Sequence, residues 1–155
     1  MKLLPHVAAS SAVGAGVWVG AGEPLALPAA VAAGVLPDAD HLLDYYFRFI
    51  RRDRRFLFLP LHGWEYLAAL ALAYALLAPT PWMLAVVLGY ATQIVGDQLV
   101  NDVRWHTYFI TARAWRGFRI ARVLDHREPD LGYEAFVNAV PFGKARVRRW
   151  FEERS

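Results

Sequence analysis

The chain has 155 residues, enough for a single domain with a sizeable core, and its 57% hydrophobic and 14% aromatic content is apolar for a small protein. Cysteine is absent, which excludes disulfides, a thiolate nucleophile and thiolate metal ligands, so any metal must be held by His, Asp, Glu or Gln. The net charge of +3 is mild but unevenly spread: Lys2 is the only base before Arg48, and no Lys or Arg lies between Arg55 and Arg104.

Residues 3–22 are apolar and small, with Gly14, Gly16 and Gly20 and only His6 ionisable. Gly22-Glu23-Pro24 reads as a turn, and Leu25 to Leu36 is a second apolar run. Alanine and valine without strict alternation favour buried helices over strands, and Gly- and Ala-rich helices can pack closely as membrane pairs do. Lys2 before an apolar run imitates a signal peptide, but Pro5 and His6 interrupt it early, so an uncleaved helix is expected.

Val35-Leu36-Pro37-Asp38-Ala39-Asp40-His41 closes that run and opens a helix, with Pro37 suited to the first helical position. Asp38 and His41 are three apart and share a face that Asp44 extends. Oxygen and nitrogen donors converging in this way suit a divalent metal, zinc or a harder ion. Acids in a first turn also complement the helix dipole with no ligand at all, so this box does not decide by itself. The helix is expected to run from Asp38 to Ile50 with an aromatic girdle of Tyr45, Tyr46, Phe47 and Phe49. Arg48, Arg51, Arg52, Arg54 and Arg55, broken by Asp53, form a basic collar suited to lipid headgroups.

Leu61-His62-Gly63-Trp64-Glu65 precedes an apolar run from Tyr66 to Leu77, Ala78-Pro79-Thr80-Pro81 breaks it, and Trp82 to Ala91 is apolar again. Gln93, Asp97 and Asn101 follow at four-residue spacing along one helical side, and an Asp inside such a helix usually has a partner and a function. A coarse repeat emerges. His6 opens one apolar hairpin whose second arm ends at Asp38, Asp40 and His41, and His62 opens another whose second arm ends near Gln93 and Asp97. Two such hairpins side by side bring His6, Asp38, His41, His62 and Asp97 to one level.

The expected fold is therefore all-α: two apolar helical hairpins forming a four-helix membrane-embedded bundle over residues 1–102, followed by amphipathic C-terminal helices. Residues 103–155 are expected to form a basic, aromatic tail packed at the membrane surface. All 17 Lys and Arg lie at the open end of the hairpins or in the tail. The positive-inside rule then places both termini and the Arg48–Arg55 loop in the cytoplasm, as a multi-pass protein of the inner membrane. The apolar arms fall short of the roughly 20 residues of a comfortable span, so tilt or bilayer thinning is required.

In the tail, Arg113, Arg116, Arg119 and Arg122 recur every third residue among Trp105, Tyr108, Phe109, Trp115 and Phe118. Gly117 and the short apolar runs argue against a voltage-sensing helix, and an interfacial helix on anionic lipid fits better. Nucleic-acid binding ranks lower, because no recognised motif accompanies these residues. Asp125-His126-Arg127-Glu128-Pro129-Asp130 reads as a charged loop, and Lys144 to Trp150 as a short basic helix with Val147, Trp150 and Phe151 as its apolar contacts.

At these residues the chain resembles a bacterial and archaeal family of membrane-bound metal-dependent hydrolases, the YdjM-like proteins. That family has an N-terminal His, a Leu-Pro-Asp-x-Asp-His box, a His-Arg-Gly-x-Thr-His-Ser box and a Gly-Tyr-x-Ser-His-x-x-x-Asp box. His6 matches the first, and Leu36-Pro37-Asp38-Ala39-Asp40-His41 matches the second in full. Only His62 remains of the third, with Phe58-Leu59 where its His-Arg pair would be. The fourth survives from Gly89-Tyr90 to Asp97, with Gln93 in place of the family His. The likeness covers roughly residues 1–102.

The resemblance implies a hydrolase in which a divalent metal, zinc or else manganese or iron, activates a water. Its metal ligands are expected to be His6, Asp38, Asp40, His41, His62 and Asp97, with Asp38 and Asp40 also orienting the water or acting as general base. Gln93, a poor zinc ligand, and Glu65 are expected to support the ligands from behind. The implied substrate is a phosphoester or lipid headgroup reached from the cytoplasmic face, with membrane lipid as partner. The alternative is a non-catalytic membrane scaffold or lipid-binding protein that keeps the polar cluster as a structural network.

Overall fold

The computed structural model describes residues 3–47, 51, 56–101, 103–123 and 143–153. Among these the fold is all-α, with no strand and one isolated bridge between Phe56 and Arg119. Lys2, the basic collar from Arg48 to Arg55 other than Arg51, and the Asp125–Asp130 loop lie outside the described residues.

Helix α1 spans Leu3–Ala21, where Pro5 falls in the first turn and removes no helical hydrogen bond. It stops at Gly22, whose φ of 69° is in the left-handed region and whose N–H still reaches the Trp18 carbonyl at 2.7 Å. The Glu23 carboxylate accepts from the Leu25 N–H, and α2 spans Ala26–Val35. Pro37 has no N–H with which to continue the α2 ladder, so the chain tightens into a 3₁₀ turn, Leu36–Ala39, before α3, Asp40–Tyr45. Asp38 thus belongs to this turn rather than to the first turn of one long helix.

The second hairpin pairs α4, Trp64–Leu76, with α5, Pro81–Val100, and Pro81 starts α5 where a missing N–H is harmless. Helix α5 is the hub, packing on α1, α2 and α4, whereas α4 leans mainly on α5 and buries none of its residues. Four-residue rows make the contacts: His6, Ser10 and Gly14 of α1, Ala26, Ala30 and Gly34 of α2, and Ala85, Gly89, Gln93 and Asp97 of α5 are all buried. The α1 and α5 rows are small at the hairpin tips and polar towards the open end, and the α2 row is small throughout. A Cβ at Gly89 would collide with the Ala30 carbonyl oxygen and stand 2.8 Å from the Ala30 Cα, so only glycine lets α5 approach α2 this closely.

Helices α1 and α5 are long and apolar enough to cross a membrane, and α4 is apolar but shorter. Of the four arms read as membrane helices, two therefore have that length; α2, with 10 residues, and α4, with 13, do not.

The tail departs from a single interfacial helix. Its described parts are α6, Ile110–Trp115, α7, Ile120–Val123, and α8, Lys144–Glu152. Left-handed Gly117 and Phe118, with φ of 64° and 54°, break the chain between α6 and α7. Ile120 and Val123 then bury against Leu57 and Leu59 of the loop before α4.

Candidate metal centre

The polar ends of α1, α5 and the Asp38–Asp40 turn meet the His62 loop at one point. Asp97 is placed by the buried row of α5, and its two carboxylate oxygens face different histidines: Oδ1 lies 3.2 Å from His6 Nε2 and Oδ2 lies 3.2 Å from His62 Nε2. Asp38 Oδ1 stands 3.4 Å from His62 Nε2 and 3.9 Å from His41 Nε2. The His41 and His62 rings are 5.0 Å apart. His6, His62, Gln93 and Asp97 are buried, while Asp38 and His41 are half-exposed and form the open side of the cluster.

Asp40 lies on the other side of His62. Its carboxylate is 3.0 to 3.1 Å from Nδ1 and accepts the Leu61 N–H at 2.7 Å. A carboxylate on the second ring nitrogen sets the tautomer and orientation of a metal-binding His, leaving Nε2 as donor to an ion. Asp40 therefore sits where an orienting group belongs, behind His62. Glu65 is further out, accepting from the Ile110 and Thr111 N–H groups and the Thr111 hydroxyl at 2.8 to 3.0 Å. It anchors α6 to α4 and touches none of the clustered histidines in these contacts. Gln93 is inside the cluster: its Nε2 donates to Asp38 at 2.6 Å and to Asp97 at 3.1 Å, and lies 3.2 Å from His62 Nε2.

Electrostatics follow the same geometry. Burial alone would lower the pKa of His62, but its contacts with Asp38, Asp40 and Asp97 outweigh that and hold it up to about 10. Burial, with the nearby His62 charge, pushes His41 below its ordinary value against the pull of Asp40 and Asp38. Burial also works against the Asp38 charge, yet His62 and His41 together keep this carboxyl below its usual range.

Among the described residues, two groups of three could hold a metal ion, with donor atoms within 4.8 Å of one another: Asp38, His41 and His62, and His6, Asp38 and Asp97. Donors around a tetrahedral ion at about 2.1 Å stand roughly 3.4 Å apart, close to the spacings around His62. Imidazole and carboxylate without sulfur suit zinc, manganese or iron. The residues present fit a divalent ion.

Three residues that support the site were not assigned to it from sequence. The Tyr90 hydroxyl donates to the Leu61 carbonyl at 2.7 Å and accepts from the Gly63 N–H at 3.1 Å, holding the His62 loop to α5. Tyr108 stacks obliquely on His62 and accepts from Asn101, which also donates to Asp97. Arg113, expected to face lipid headgroups, is instead fully buried and donates to the Leu59 and His62 carbonyls. The carbonyls of this loop accept it inside the fold, a demand with no signature in the three-residue Arg spacing. No family model, curated protein or solved structure matches this chain.

Proposed function

We propose that this chain is a membrane-embedded, metal-dependent hydrolase-like protein of YdjM-like type, acting on a phosphoester or lipid headgroup at the cytoplasmic face of the inner membrane. The observation that carries it is a polar cluster buried beneath an apolar surface. The buried set includes His6, Ser10, Asp40, His62, Gln93, Asp97 and Arg113, while Trp18, Val19, Leu72, Leu76, Leu77, Trp82, Leu88, Val95 and Leu99 are exposed. Ionisable groups turned inward beneath an apolar exterior are how a bilayer protein builds a polar site.

Bound there, a divalent ion supplies Lewis acidity and lowers the pKa of water. The chain's own residues do the rest. Asp40 fixes His62 with Nε2 inward, the half-exposed Asp38 carboxylate is the group able to accept a proton at the open side, and His41 lines the same approach. In the four-helix reading, α2 and α4 reach across only with bilayer thinning or continuation through their polar ends.

A second reading has its own observation. Gln93 bridges Asp38 and Asp97 through ordinary hydrogen bonds, so the cluster can satisfy itself as a scaffold that fixes helix register. Metal analysis of detergent-purified protein separates the two. Bound zinc, manganese or iron, lost on Asp38→Ala and His62→Ala together with hydrolysis of a chromogenic phosphodiester, is expected for the hydrolase. A metal-free protein whose fold is unchanged by added metal would leave the scaffold reading.

A further inference from the structure

Asp97 and Asp38 are both shared. Asp97 offers one oxygen to His6 and the other to His62, each at 3.2 Å. Asp38 belongs to both triads of metal-competent donors, one completed by His41 and His62, the other by His6 and Asp97. A carboxylate whose two oxygens point at different imidazoles has the arrangement of a bridge between two ions. Two-metal sites hold their ions about 3.5–4 Å apart with such bridges.

Donor count supports the same conclusion. One ion taking His6, Asp38, His41, His62 and Asp97 would be closed, as structural metal sites are. Divided between two ions with Asp38 and Asp97 shared, the same donors give the His6 ion three ligands, which leaves it an open position. Gln93 supplies an independent observation. Its Nε2 has two hydrogens and faces Asp38, Asp97 and His62, while its buried Oε1 has no hydrogen-bond partner among the described residues. Amide oxygen is a ligand for harder cations, so an ion on this side gives Oε1 a partner once the amide turns over.

We infer that the cluster is a two-ion centre, one ion on His6 and the other on His41 and His62, with Asp38 and Asp97 bridging. This rests on the proposed metal reading and deepens it. It assigns the two histidine sets to separate ions and implies a substrate oxygen held between them, as phosphoryl groups are in two-metal sites.

The test uses the full chain in detergent, loaded with Zn²⁺ or Mn²⁺, dialysed, and counted by elemental analysis against protein. About two ions per chain are expected, and the Mn²⁺ form should show the exchange-coupled resonance of a close pair rather than an isolated six-line spectrum. His41→Ala, altered on the half-exposed side, and His6→Ala should each halve the count and restore the six-line spectrum. Circular dichroism of each variant confirms that the helices persist. One ion per wild-type chain with an uncoupled spectrum overturns the two-ion centre and leaves the metal reading standing. No bound ion of either kind removes both.

Discussion

Arg113 carries more of the site than its position in the tail implies. Its guanidinium reaches the carbonyls of Leu59 and His62, so a residue from α6 holds the backbone on which the His62 ring is mounted. Burial works against the charge and lowers its pKa, with Asp40 the main carboxylate opposing that shift. Replacing one partner of a buried charged contact leaves the other stranded, which costs more than the contact contributes on its own. Arg113→Met is therefore expected to lower stability by about 2–4 kcal/mol, since two carbonyls lose a charged donor. Arg113→Lys should fall between, because one ammonium keeps the charge but not the planar fork. Arg116→Met, on a half-exposed position of the same segment, is the control and should stay within about 0.5 kcal/mol. Unfolding in mild detergent checks all three, and equal stability of Arg113→Met and wild type would show that the loop holds itself.

The decisive contact between elements is the crossing of α2 and α5. Gly89 lies against the Ala30 backbone, and a Cβ at Gly34 would stand 2.6 Å from the Ser10 Cβ, so three helices meet through small residues. Asp38 and His41 follow the end of α2, and Gln93 and Asp97 continue α5, so this crossing sets the distance between the two halves of the donor cluster. Gly89→Ala must push α2 away from α5. The expected result is a loss of about 1–3 kcal/mol, the usual cost of overpacking, with weaker metal retention because Asp38 and Asp97 separate. Gly16→Ala, where a Cβ meets nothing within 4 Å, should instead stabilise α1 by about 0.5–1 kcal/mol. Thermal melting and metal content of the two variants, side by side, separate the effect of position from that of adding a methyl group.

For the whole molecule the governing fact is polarity. Among the described residues the exposed surface of α1, α4 and α5 is largely apolar, and the ionisable groups of the cluster are gathered at the end opposite Glu23. Helix α8 adds exposed Lys144, Arg146, Arg148 and Arg149 to the basic tail. In the proposed membrane reading each base near an anionic leaflet contributes about 1 kcal/mol, so the tail and collar are expected to outweigh Glu23 in setting orientation. Single cysteines at Glu23, Thr80, Arg51 and Glu153, probed with an impermeant thiol reagent on intact cells, report the topology without interference from native thiols. Labelling at Glu23 and Thr80 alone is expected. Labelling at Arg51 and Glu153 alone would invert the orientation, and recovery of the chain in the soluble fraction would remove the membrane reading.

By itself the sequence determined the helical class, the two hairpins and the proximity of His6, Asp38, His41, His62 and Asp97. These follow from chain-local signals: Gly22-Glu23-Pro24 and Pro79-Thr80-Pro81 break the apolar runs, and four-residue spacing keeps polar groups on one helical side. Tertiary structure alone decided what each of those groups touches. Asp38 and Asp40 are two apart, yet one faces Nε2 of His62 and the other Nδ1, because the 3₁₀ turn and the start of α3 point them to opposite sides of that ring. Spacing cannot distinguish a ligand from the group behind it. Arg113 turned inward for a similar reason: the acceptors that hold it belong to residues more than fifty positions earlier, and hydrogen-bond demand across such a separation exists only once the chain has folded.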